Sequence, residues 1–204
     1  VPIFARLIKD KSPVDGMVKL SFTIIFTMSM IVATCSSFFS NQIMNLLYVG
    51  QIQEAQKVFV WLIIGFIPIS VTYIFGTLLT ANGSMKALNM MALAGMVINI
   101  VINFILIPRF MAVGSAYASL ITQFATAIIQ VAIAQKIFRF TINWKYILTL
   151  AFFAAGVVII NIISSKQLHN WHIAFFVAGF ASLLWAFVLK LIDVGGMIRL
   201  IKNG

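Results

Sequence analysis

Residues 58–81 read VFVWLIIGFIPISVTYIFGTLLTA, an unbroken stretch without Asp, Glu, Lys or Arg. A helix rises about 1.5 Å per residue, so this stretch would be about 36 Å long. The hydrocarbon core of a bilayer is about 30 Å thick and takes about 20 helical residues to cross. The charge-free run continues to Met85, and five others share its character: Leu20–Gln53, Ala87–Pro108, Phe110–Gln135, Tyr146–Ser165 and Gln167–Leu189. A charge at the centre of such a segment would cost about 2.5–3.5 kcal/mol on insertion scales, and the sequence places none there. The reading is an all-α integral membrane protein with six transmembrane helices.

Composition agrees. The chain is 62% hydrophobic, and its mean hydropathy of +1.09 lies outside the range of soluble domains. The net charge of +10 could suggest nucleic acid. A nucleic-acid binder gathers its basic residues on one face, whereas here they stand at span ends, so nucleic acid is not an expected partner. Eleven basic residues (Arg6, Lys9, Lys11, Lys19, Lys86, Lys136, Arg139, Lys145, Lys190, Arg199, Lys202) fall in one set of alternate loops; three (Lys57, Arg109, Lys166) fall in the other. The positive-inside rule then puts both termini in the cytoplasm, and an even number of spans agrees.

The spans are expected at about 20–40, 58–81, 88–107, 113–135, 144–164 and 171–189. Residues 1–19 read as a helix end and a basic cytoplasmic loop broken by Pro13 and Gly16. Residues 20–138 hold four core helices, and 139–204 an additional helix pair with a short basic tail. Residues 41–57 form the longest external connection. Pro68 removes a hydrogen bond to the Ile64 carbonyl and predicts a kink in the second span. Trp61, Trp144, Tyr146, Trp171 and Trp185 fall near span ends, as an interfacial aromatic belt requires. Cys35 is the single cysteine, so no intrachain disulfide can form.

Four spans carry polar residues at helical spacing. Ser70, Tyr73, Thr77 and Thr80 read as one face of the second span, and Gln123 sits with Ser119, Thr126 and Gln130 on the fourth. Asn99 and Asn103 lie one turn apart in line with Gly95, and Gly114-Ser115-Ala116 opens the fourth span with residues small enough for close helix contact. Two roles compete. Such residues hold helices together at roughly 0.6 kcal/mol per hydrogen bond, or they line a hydrated pathway. Packing is the better reading for Gly95, Asn99, Asn103 and Gly114. Tyr73 beside the Pro68 kink is the strongest pathway candidate, with Ser70, Thr77, Thr80 and Gln123 as companions.

All four acidic residues (Asp10, Asp15, Glu54, Asp193) lie at or beyond span ends, so no buried carboxylate is available for an ion relay. No phosphate-cradling glycine loop, no nucleophile with its base and no third ligand beside His169 and His172 is present. Neither an enzyme nor a cofactor or metal site is expected.

The order of these features resembles a known family. Leu46-Leu47-Tyr48-Val49-Gly50 through Ala55, then Thr77 to Lys86 (TLLTANGSMK), then Asn99, Asn103, Ile107-Pro108 and Gly114-Ser115-Ala116, are similar to the C-terminal part of bacterial polysaccharide flippases of O-antigen type. These belong to the multidrug/oligosaccharidyl-lipid/polysaccharide exporter superfamily. The similarity covers about residues 1–135. Ser115 replaces a usual Ala, and Met111 stands where the loop often has Gly.

The resemblance implies that the chain is the distal half of a 12–14-helix, two-lobe transporter of the bacterial inner membrane, with an N-terminal lobe outside this sequence. It implies alternating access that moves an isoprenoid-pyrophosphate-linked oligosaccharide to the periplasmic leaflet. Family members draw the basic residues of the cavity largely from helices that would precede Val1, so this segment would supply cavity wall and scaffold. A multidrug cation antiporter of the same superfamily and a non-transporting membrane scaffold are the alternatives.

Overall fold

The computed structural model describes residues 2–48, 50, 52–141 and 143–192. The expectations for the basic tail, including Arg199 and Lys202, lie outside these residues. Eight helices follow in order: α1 (Pro2–Lys9), α2 (Asp15–Phe38), α3 (Ser40–Leu47), α4 (Ile52–Ile64), α5 (Phe66–Ala81), α6 (Met85–Phe138), α7 (Trp144–Gln167) and α8 (Trp171–Val188). No strand occurs among the described residues. Five helical units are long and apolar enough to cross a membrane: α2, α4 with α5, α6, α7 and α8. The architecture is that of an all-helical protein compatible with multiple passages of a bilayer.

Two local features depart from the sequence reading, and a third locates the expected kink. The connection over residues 41–57 is mostly helical, formed by α3 and the start of α4. Gly16 lies inside the first turn of α2 and does not break it. The second span divides into α4 and α5 at Gly65, three residues before Pro68. Pro68 offers no N–H to the Ile64 carbonyl, and the ring crowds the preceding turn. The chain tightens there, with Gly65 N donating to Leu62 O at 3.1 Å.

The 54 residues of α6 form two arms that fold back on each other at Met111 (φ 50°, ψ −128°). Asn99 Nδ2 donates to Thr122 Oγ1 at 3.2 Å, and a Cβ at Gly95 would lie 2.8 Å from Thr126 Cγ2. Both pairs are centred on residues 110–111, as an antiparallel hairpin requires. At the turn, a Cβ on Gly114 would collide with the Leu106 carbonyl. Glycine is therefore required where the second arm leaves the turn.

Helix α2 is the centre of the bundle, with α4 and α5 on one side and α7 and α8 on the other. The hairpin α6 packs outside α4 and α5. One apolar cluster joins α2 to the last two helices through Ile31, Cys35, Phe39, Phe153, Val157, Ala174, Ala178 and Ala186. A second ties Phe4, Val14 and Val18 to Ile74 and Leu78 of α5. Ala174, Ala178, Ser182 and Ala186 recur every fourth residue on α8 and are all essentially inaccessible. Such a stripe lets helix backbones approach closely, which is how helices associate when lipid removes the hydrophobic drive.

The turn geometry generates a paired prediction. A positive φ on a non-glycine residue costs about 1–3 kcal/mol, so Met111→Gly is expected to stabilise the detergent-solubilised protein by about 1 kcal/mol or more. Gly114→Val should destabilise it by about 3 kcal/mol or more, by forcing the arms apart. Gly179→Ala, with open space around it, should stay within about 0.5 kcal/mol. Thermal unfolding followed by tryptophan fluorescence would check all three.

Candidate functional site

The polar residues of α5 do not share one environment. Ser70 is buried at 4% exposure, whereas Tyr73 is 65% exposed, so the expected single face divides between a packed side and an outward side. Thr80 is also exposed and Thr77 partly so. The outward face continues with Leu62, Phe66 and Ile69, which are apolar and exposed. Tyr73 is thus the first polar break in an apolar exterior, one turn beyond Pro68.

Each serine and threonine hydroxyl on this helix donates to its own backbone. Ser70 Oγ reaches Ile67 O at 2.7 Å, Thr72 Oγ1 reaches Ile69 O at 2.9 Å, Thr77 Oγ1 reaches Tyr73 O at 2.6 Å, and Thr80 Oγ1 reaches Gly76 O at 2.8 Å. This back-bonding satisfies the donor inside an apolar medium and leaves the oxygen free as an acceptor. The face offers acceptors without charge. It suits neutral, hydroxyl-rich groups better than ions.

Behind this face, two glutamines of the second α6 arm meet two glycines of the kinked unit. A Cβ on Gly65 would lie 2.7 Å from Gln123 Oε1, and one on Gly76 would lie 2.7 Å from the Gln130 amide terminus. With its amide oriented to match its neighbours, Gln130 donates to Thr72 O at 3.1 Å and accepts from Gly76 N at 3.0 Å. Gln130 is 3% exposed and is coupled to the α5 backbone. Gln123 stands at the helix break with its Oε1 buried and without a hydrogen-bond partner among the described residues. Of the two, Gln130 was passed over as a site residue in the sequence. The signal for it was the glycine pair in the second span, which marks where a neighbouring side chain approaches the backbone.

The remaining candidates lie on α6. Asn103 Nδ2 donates to Asn99 O and Oδ1, both at 2.9 Å, and Asn99 passes the chain on to Thr122. Gly95 and Gly114 are buried between the arms. This group belongs to the hairpin contact. It borders an open apolar groove formed by Ile100, Phe104, Ile107 and Pro108. No cluster of three or more metal-ligating side chains occurs among the described residues. No family model, curated protein or solved structure matches the chain.

The Gly76–Gln130 contact can be measured as a coupling. Gly76→Ala should cost about 1–2 kcal/mol of stability because its methyl displaces the Gln130 amide. In a Gln130→Ala background the same change should be close to neutral. A thermal double-mutant cycle is expected to return an interaction energy of about 1 kcal/mol or more, the size found for residues in direct contact.

Proposed function

We propose that this chain is the C-terminal portion, helices nine to fourteen, of a flippase for isoprenoid-pyrophosphate-linked oligosaccharide in the bacterial inner membrane. The observation that carries the reading is the outward placement of Tyr73, with Thr77 and Thr80 beside it, on a helix whose other exposed residues are apolar. The Tyr73 hydroxyl, turned away from its own bundle, needs a partner surface or a hydrated cavity, because lipid tails offer no hydrogen bonds. In a two-lobe transporter that face would line the central cavity opposite the N-terminal lobe. There its hydroxyl oxygens would meet sugar hydroxyl groups while the isoprenoid tail stays in the bilayer.

Counted as two crossings, the arms of α6 bring the total to six, with both termini in the cytoplasm by the distribution of Lys and Arg. The break at Gly65 gives α5 a hinge beside the cavity wall, which suits a lobe that must rock. Pyrophosphate would be held by basic residues of the other lobe, since the charged residues of this segment lie at helix ends or in connections.

Two measurements test the reading. In a Cys35→Ala background, Tyr73→Cys and Thr77→Cys should react with a small water-soluble thiol reagent in intact cells, whereas Val157→Cys, fully buried between α7 and α2, should not. Equal inertness at all three positions would make the stripe a packing or lipid-facing feature. The gene containing this segment should also restore long-chain surface polysaccharide to a bacterium lacking its own flippase. Export of a fluorescent cation in place of polysaccharide would favour the antiporter reading.

A further inference from the structure

Away from the α5 face, a cavity of about 500 Å³ opens where the N-terminal ends of α2 and α7 meet the C-terminal end of α8. Its lining includes Lys19, Lys145, Lys190, Thr23, Asn143 and Tyr146, and no acidic residue among the described residues. None of the three lysines makes an ion pair among the described residues; the two ion pairs found there, Arg6–Asp10 and Glu54–Lys57, lie elsewhere. Three ammonium groups around one cavity favour an anion. The N-terminus of α7 adds its positive partial charge, and Lys190 follows the end of α8 in a left-handed conformation (φ 54°).

The walls are held in place before any ligand arrives. Asn143 Oδ1 accepts from Tyr146 N at 3.2 Å and caps α7. The Tyr146 hydroxyl is 2.7 Å from buried Thr23 Oγ1, and Lys19 Nζ lies over the Tyr146 ring at 4.8 Å. Adjoining the cavity through Thr149 and Leu189 is an apolar groove of about 520 Å³ lined by Leu148, Ala151 and Phe152. These residues lie one to two turns further along α7, toward the middle of the helix. A basic pocket at a helix-end level with an apolar groove leading inward has the shape of a phospholipid, with headgroup in one part and acyl chain in the other.

We propose that this is a binding site for an anionic phospholipid whose phosphate sits among Lys19, Lys145 and Lys190 and whose acyl chain lies against Ala151 and Phe152. Basic pockets between membrane helices on the cytoplasmic side bind such headgroups in this way. A lipid there would bridge α7 and α8 to the central helix. The site requires only that the bundle sit in a membrane and makes no reference to a transported cargo.

Native mass spectrometry of the full chain in mild non-ionic detergent tests it, with dioleoyl phosphatidylglycerol, dioleoyl phosphatidylcholine and inorganic phosphate as probes. Phosphatidylglycerol is expected to bind at least about tenfold more tightly than phosphatidylcholine, and the combined Lys19→Gln, Lys145→Gln, Lys190→Gln variant to weaken it by about a hundredfold. Lys86→Gln, on the far hairpin, should change nothing. Ala151→Trp keeps all three lysines and fills the groove from an exposed position. It should weaken phosphatidylglycerol binding while leaving the lipid-free melting temperature unchanged, and so tests the site even where the triple variant does not fold. Displacement of the lipid by millimolar inorganic phosphate would make this a site for free anions and overturn the lipid assignment. Equal binding by the triple and Lys86→Gln variants, or no preference over phosphatidylcholine, would overturn the site itself. These outcomes are independent of whether the chain flips an oligosaccharide.

Discussion

In a hydrocarbon medium, a backbone N–H or C=O without a partner costs several kcal/mol, so a chain crossing a membrane must satisfy these groups within its own helix or against a neighbour. Here α7 and α8 run without an interior interruption. At the two interior interruptions, Gly65 and Met111, protein is packed closely against the backbone. Gln123 stands at the first, and the Leu106 carbonyl presses against Gly114 beside the second. Gln130 reaches into the same kinked unit about two to three turns further on, where it bridges Thr72 O and Gly76 N. The second arm of α6 therefore packs along the broken second span, and Gln130 bonds its backbone beyond the break.

The same constraint accounts for how the ends of the bundle differ. The α7–α8 pair contains no break, and it docks on α2 through small residues and a few buried polar groups. Asn161 is fully buried and turns its amide back to Val157 O at 2.9 Å. Thr27 Oγ1, Asn161 Oδ1, Ser182 Oγ and Trp185 Nε1 are buried and without hydrogen-bond partners among the described residues. All four lie on α2, α7 or α8. Burying them uncompensated lowers stability, which makes close packing by the alanine stripe, and a ligand bridging the three helices at their polar end, more consequential for this side of the molecule.

Much of this was legible in the sequence because charge exclusion and length act on whole segments. The limits of α7 and α8 came within a few residues, and the turn between residues 107 and 113 was marked by Pro108 and Gly114. What could not be read was anything that depends on rotation about a helix axis. Ser70 and Tyr73 are three residues apart and look like neighbours on a wheel, yet one is packed and the other outward, because the neighbouring helices cover only part of the circumference. The alanine stripe of α8 escaped notice because Ala carries no polar signal against an apolar background. The basic cavity escaped for another reason: its lysines come from three helices far apart in sequence, and each alone reads as a residue that sets topology.

The single-residue turn at Met111 bears on how the protein is made. The two arms of α6 are joined with almost no hydrophilic linker, and Gly114 against Leu106 leaves no room for them to separate near the bend. An insertion apparatus that hands helices to the bilayer one at a time would expose the polar inner faces of Gly95, Asn99 and Thr122 to lipid. In a bilayer, a bend this tight favours release of both arms together, as a preassembled pair. Biogenesis of the bundle would then proceed by a helical pair docking onto a kinked neighbour already in place.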